Sequence, residues 1–117
     1  MTTGEVVQGY LSALKQKKDW PSFLSEDITF TSFTSPVKQI SGRAGFLEST
    51  RRFYSMITAV EVKALMVDGD HACALTRYTL KPPAGPVFES HVAEVFGVRD
   101  GKITSFDIYF DTAPFPK

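Results

Sequence analysis

An α+β fold, with helices laid across the concave side of a strongly curved and mainly antiparallel sheet, is predicted by three features of this 117-residue chain. Helical periodicity is concentrated in the first half. Period-two alternation takes over in the second half, and it is interrupted at Asp68-Gly69-Asp70 and at Arg99-Asp100-Gly101-Lys102, where Gly permits the positive φ of a tight hairpin. The apolar, β-branched and aromatic runs on either side of the second turn, Val87 to Asp111, are the longest strand-like runs and belong at the centre of the sheet.

The elements follow in order. Thr2 and Glu5 have capping-box spacing, and Val6, Val7, Tyr10, Leu11 and Leu14 recur at helical intervals, so an amphipathic helix begins here and ends near Lys15-Gln16-Lys17-Lys18. Asp19-Trp20-Pro21 starts a second, short helix running to about Leu24, with Asp as its cap and Pro in its first turn. From Asp27 the period changes to two, giving a strand through Ile28 and Phe30 that Thr34-Ser35-Pro36 interrupts. Ser41-Gly42-Arg43-Ala44-Gly45 leads into a third helix with Phe46, Leu47, Thr50, Phe53 and Tyr54 on a wide apolar face. Strands follow at Val60 to Val67 and Ala72 to Leu80. The loop Lys81 to Pro86, which holds three prolines, separates them from the central hairpin.

Composition narrows the function. Thirteen basic and thirteen acidic residues cancel, which leaves no electrostatic footprint for nucleic acid or an anionic membrane. Cys73 has no intrachain partner and fits a reducing compartment. No apolar run approaches membrane-spanning length and the N-terminus lacks a basic region followed by an apolar run, so a cytoplasmic protein of one domain, 1–117, is expected. Ten Phe against four Tyr and one Trp point to an apolar interior with an apolar pocket.

The element order, the first strand Asp27-Ile28-Thr29-Phe30 and the ending Gly101-Lys102-Ile103 with Tyr109-Phe110-Asp111 resemble the nuclear transport factor 2-like superfamily. Within it the chain is most similar to SnoaL-like polyketide cyclases, ketosteroid isomerases and limonene epoxide hydrolases. The resemblance implies a cone-shaped sheet, a cystatin-like α+β barrel, closed by three helices around a small-molecule pocket. It also implies a homodimer through the outer sheet face around His91, Ala93 and Val95, with no cofactor.

The functional positions carry over unevenly. The epoxide hydrolases' essential aspartate falls on Ile108 and their second aspartate on Thr79, although their arginine is kept as Arg77. The isomerases' base falls on Ser32, which is no base at neutral pH, while their oxyanion-hole aspartate falls on Glu94 and their tyrosine near Tyr10. The cyclases have histidine at the Glu94 position and aspartate at that of Ile108. By resemblance and strand alternation the pocket face carries Ser90, Val92, Glu94 and Phe96 on one strand, Cys73, Leu75, Arg77 and Thr79 on another, and Phe106, Ile108 and Phe110 on a third.

Glu94, Tyr10 and Arg77 are therefore the candidate catalytic residues, and Phe30, Ser32, Phe53, Leu75, Thr79, Val92, Phe106 and Ile108 the candidate substrate contacts. Glu94 and Arg77 in one apolar cavity admit two readings: a structural ion pair, or a working acid/base with an anion-binding arginine. Tyr10 is either a core residue with its hydroxyl bonded or a donor to a ligand carbonyl. His71 and His91 have no partners at metal-ligand spacing, and Ser90 beside His91 cannot form a triad because neighbours on a strand point to opposite faces. Two functions remain open: a cofactor-independent isomerase or cyclase acting on an apolar carbonyl compound, or a non-catalytic module for hydrophobic-ligand binding or dimerisation.

Overall fold

A computed structural model describes residues 1–33 and 37–115. The first helix, α1 (Thr3–Gln16), begins with both bonds of the capping box: Glu5 N–H donates to Thr2 Oγ1 at 3.1 Å, and Thr2 N–H to Glu5 Oε1 at 2.8 Å. Its stripe of Val6, Val7, Tyr10, Leu11 and Leu14 is buried. The short second helix is a 3-10 turn, Trp20–Phe23. The Asp19 side chain makes no capping bond, because the residue adopts a left-handed backbone (φ 51°); its carbonyl instead accepts from the Ser22 hydroxyl at 2.7 Å.

The sheet has six strands: β1 (Leu24–Ser32), β2 (Lys38–Ser41), β3 (Ile57–Asp68), β4 (His71–Leu80), β5 (Phe88–Arg99) and β6 (Lys102–Phe110). Their spatial order is β2-β1-β6-β5-β4-β3, so the predicted central hairpin is the central pair. The sheet is mixed, since β1 runs parallel to β6 while every other pairing is antiparallel. That crossover places the first strand beside the last. Register shifts in β1, β3 and at Gly97/Val98 bend the strands, as bulges do, and give the sheet its curvature.

The four-residue edge strand β2 was not anticipated, because it offers only Ile40 as an apolar inward residue. The break expected at Thr34-Ser35-Pro36 lies outside the described residues. The third predicted helix is α2 (Arg43–Ser55), entered through Gly42 at φ 93°. Gly42 N–H donates to Ile28 O at 2.7 Å and Arg43 Nη1 to Leu24 O at 3.2 Å, which fixes the helix start against β1. Only Phe46 on α2 is fully buried; Leu47, Phe53 and Tyr54 are partly covered. No helix among the described residues is long and apolar enough to cross a membrane.

The core lies between the concave sheet face and the helices. An aromatic floor of Tyr10, Trp20, Phe46, Phe96 and Phe106 meets mainly edge to face, as ring quadrupoles favour, with Tyr10 5.8 Å from both Phe96 and Phe106. The outer sheet face carries exposed Leu75, Met66 and Tyr109, with Phe33 stacked on Tyr109 at 4.7 Å. His91, Ala93 and Val95 lie on this face too.

The central hairpin turns through Asp100 at φ 54° and Gly101 at φ 76°, the two positive φ values of a type I′ turn. Gly101→Val should lower stability by about 1–2 kcal/mol, the cost of a left-handed conformation for a side chain with a Cβ. Urea denaturation should show a reduced midpoint, with Asp100→Asn tolerated; an unchanged midpoint for Gly101→Val would count against this turn.

Candidate functional site

The register of three strands builds the site. Ala74, Thr76 and Tyr78 of β4 stand opposite Glu94, Val92 and Ser90 of β5, and residues paired across a ladder share a face. On the other side Ile108 and Phe110 of β6 pair with Glu94 and Val92. The inward side chains enclose a cavity of about 240 Å³ between the sheet and α2. Strand β5 contributes Ser90, Val92 and Glu94 to it, and β6 contributes Phe106, Ile108 and Phe110. Phe30, Ser32 and Ile40 line the β1–β2 side, Phe53, Tyr54 and Thr50 come from α2, and Tyr78 from β4. Exposed Lys38 stands at the edge.

Glu94 is the charged residue buried here, with 1% of its surface exposed. Its Oε1 accepts a hydrogen bond from Tyr78 Oη and another from Thr76 Oγ1 at 3.1 Å. Its Oε2 is buried and has no partner among the described residues. Burial raises its pKa from the usual 4.5 to about 7, against the two donated hydrogen bonds that favour the anion. Near neutral pH the group is therefore divided between acid and base, the condition in which a carboxyl both takes and returns a proton. Ser90 Oγ is a second buried polar atom with no partner among the described residues.

Two tyrosines complete the polar set. Tyr54 Oη lies 2.8 Å from Tyr10 Oη, and Tyr54 borders the cavity while Tyr10 lies wholly buried behind it. When Tyr10 donates to Tyr54, the Tyr54 proton is free to point into the cavity. Burial, then the neighbouring Glu94 charge, pushes the Tyr54 hydroxyl above its ordinary range, and burial does the same for Tyr10 and Tyr78. All three remain neutral donors across the physiological range.

Several expected residues lie elsewhere. Arg77 is on the outer face, where Nη2 is 2.6 Å from Glu61 and Nε is 3.6 Å from Glu89. No Arg77–Glu94 pair exists, because the β4–β5 register gives Arg77 the opposite face and water spares it the cost of burying a guanidinium. Cys73, Leu75 and Thr79 share that face by the same parity, so none of them lines the cavity. Phe30, Ser32, Phe53, Val92, Phe106, Ile108 and Glu94 are brought together as expected. Thr76, Tyr78 and Tyr54 were missed as site residues. The signal was present in β4: His71 and Arg77 fall in one alternating set, and no charge falls in the other. Among the described residues no group of three or more His, Cys, Asp or Glu is placed to hold a metal ion.

The buried carboxyl has a thermodynamic signature. Between pH 4.5 and about 7 the unfolded chain has released a proton that folded Glu94 still holds, so stability falls as pH rises through that window and is level on either side. The full loss is about 3 kcal/mol. Relative to wild type, Glu94→Gln should gain that amount between pH 4.5 and 8 in denaturant titrations. Tyr78→Phe, which removes a donor to the anion, should leave the start of the falling limb near pH 4.5 and extend its upper end to higher pH. Parallel wild-type and Glu94→Gln profiles would mean that the carboxyl is solvated.

No curated protein is matched by the sequence. Solved structures resemble it closely in fold at low identity. An NTF2-like protein from Burkholderia thailandensis E264 superposes with a TM-score of 0.83 at 21% identity, covering 97% of this chain and 94% of that one. A candidate SnoaL-like polyketide cyclase from Jannaschia sp. CCS1 gives 0.80 at 16% identity, with coverages of 98% and 93%. A protein of ketosteroid isomerase-like fold from Catenulispora acidiphila DSM 44928, in complex with trimethylamine, gives 0.77 at 20% identity, with coverages of 94% and 88%. Residues 7–106 match the family model of the SnoaL-like domain, and with most of its length matched the chain belongs to that family, within the nuclear transport factor 2-like superfamily.

Proposed function

We propose that the protein is a cofactor-independent isomerase or cyclase acting on a compact, apolar carbonyl compound, with Glu94 as its acid/base. The observation that carries this reading is the unpartnered, buried Glu94 Oε2 in an apolar cavity, on a carboxyl that titrates near 7. Raising the proton affinity of a carboxylate makes it a stronger base towards a proton on carbon beside a carbonyl. Burial supplies that increase, and the Tyr78 and Thr76 donors engage Oε1, which leaves Oε2 without a partner among the described residues and available to a ligand proton.

The proton inventory closes within the site. Glu94 Oε2 removes the proton α to the carbonyl, the C–H electron pair moves into the developing enolate, and the carbonyl oxygen accepts a hydrogen bond from Tyr54 Oη. Tyr10 strengthens that donor through its own hydrogen bond to Tyr54. Protonated Glu94 then returns the proton at a second carbon, or the enolate attacks a carbonyl within the same molecule and the new alkoxide takes the proton. The cavity is below the usual range for a drug-sized ligand, which favours one- or two-ring substrates.

The test is proton exchange, which needs no knowledge of the natural substrate. One- and two-ring cyclic enones in D₂O should lose their acidic C–H signals faster in the presence of protein, with the rate rising through about pH 7 as Glu94 ionises. Glu94→Gln should reduce the acceleration by about 10²-fold or more. Enones that bind without exchange in wild type, or exchange unaffected by Glu94→Gln, would contradict the assignment.

A further inference from the structure

Thr76 is wholly buried, and its hydroxyl carries one proton but meets two acceptors: Glu94 Oε1 at 3.1 Å and the main-chain carbonyl oxygen of Val92 at 3.3 Å. Val92 stands directly opposite Thr76 in the β4–β5 ladder, so strand pairing keeps both acceptors within reach of one Oγ1. The charge on Glu94 decides between them. A carboxylate is the stronger acceptor and draws the hydroxyl to Oε1. Once Oε2 holds a proton, the neutral carboxyl is a weaker acceptor than an amide carbonyl, and the hydroxyl turns to Val92. Only the hydroxyl hydrogen moves, by rotation about the Cβ–Oγ1 bond.

We infer that Thr76 is a positioning residue whose hydroxyl follows the reacting proton, donating to Glu94 Oε1 while the carboxyl is ionised and to Val92 O while it is protonated. This rests on the reading of Glu94 as the acid/base. The buried hydroxyl then has an acceptor in both states, so proton uptake by Glu94 strands no donor in the apolar interior. A donor able to serve the carboxylate alone would favour the anion by its full strength and weaken the base. The titratable groups around Glu94 do not take this part. Tyr78 on β4, Tyr54 on α2 and Tyr10 on α1 stay neutral across the physiological range, and Lys38 of β2 stands exposed at the cavity edge. The β1 and β6 residues lining the cavity include no titratable side chain.

The test follows the Val92 carbonyl carbon by ¹³C NMR as wild-type protein is titrated through neutral pH. A hydrogen bond deshields a carbonyl carbon, so the Val92 resonance should step upfield with the midpoint of the Glu94 carboxyl, near pH 7. Thr76→Val, almost isosteric but without a hydroxyl, should shrink that step to the part caused by the carboxylate's field alone. It should also raise the Glu94 midpoint by roughly one pH unit, the difference between a charged and a neutral hydrogen bond, and move the rise in enone exchange with it. Thr76→Ser should restore all three, and Thr76→Ala serves the same comparison if the valine variant fails to fold. A Val92 step equal in wild type and Thr76→Val, or a Glu94 midpoint unmoved by that substitution, would overturn the role of Thr76 and leave that of Glu94 intact. An exchange profile that stayed in place while the Glu94 midpoint moved would overturn Glu94 as the base, and a wild-type midpoint near 4.5 would overturn both.

Discussion

The register between β4 and β5 is the constraint on which the site depends. Because Ala74 stands opposite Glu94 and Tyr78 opposite Ser90, the inner face of β4 presents Thr76 and Tyr78 to the carboxyl. A slip of one residue would present Leu75 and Arg77 instead, exchanging two neutral donors for a cation. Glu94 would then be a permanently ionised partner in a salt bridge, with no reason to titrate near neutrality. The outer pairing of Arg77 with Glu61 and Glu89 holds the same register from the other side of the sheet.

Around that register the fold sets an apolar enclosure. The parallel β1–β6 crossover brings Phe30 and Ser32 beside Phe106 and Ile108, and α2 closes the space with Phe53 and Tyr54. The aromatic floor below holds Tyr10 behind Tyr54, so the two hydroxyls form a chain leading to the cavity. The cost of this design falls on Glu94. An apolar residue of similar volume there would remove the desolvation of a carboxylate, so stability alone does not account for a glutamate at this position.

Much of this was legible in the residues and some was not. The hairpins at Gly69 and Gly101, the capping box at Thr2 and the alternation of β5 express local chemistry, and each is found where the sequence puts it. Glu94 was identifiable because it shares alternation with Val92 and Phe96. The facing of β4 was not settled by the turn to β5, since the loop from Lys81 to Val87 is long enough to allow either parity. Family resemblance favoured an inward arginine, whereas the solvation of His71 and Arg77 on one face favoured the parity observed. Tyr54 lay on the predicted apolar face of α2, but nothing local signals that its hydroxyl meets that of Tyr10, 44 residues away. Strand β2 is too short and too polar to announce itself, and it is held by pairing with β1.

Acid/base chemistry in this cavity depends on the ionisation of one carboxyl. The direct measurement is a ¹³C NMR titration of protein labelled at the glutamate side-chain carboxyl carbon, with the Glu94 resonance assigned by its loss in Glu94→Gln. A midpoint near 7, well apart from the other glutamates, is the result expected of a carboxyl buried against Tyr78 and Thr76. A midpoint near 4.5 would show a solvated carboxylate and would remove the basis for acid/base chemistry in this cavity.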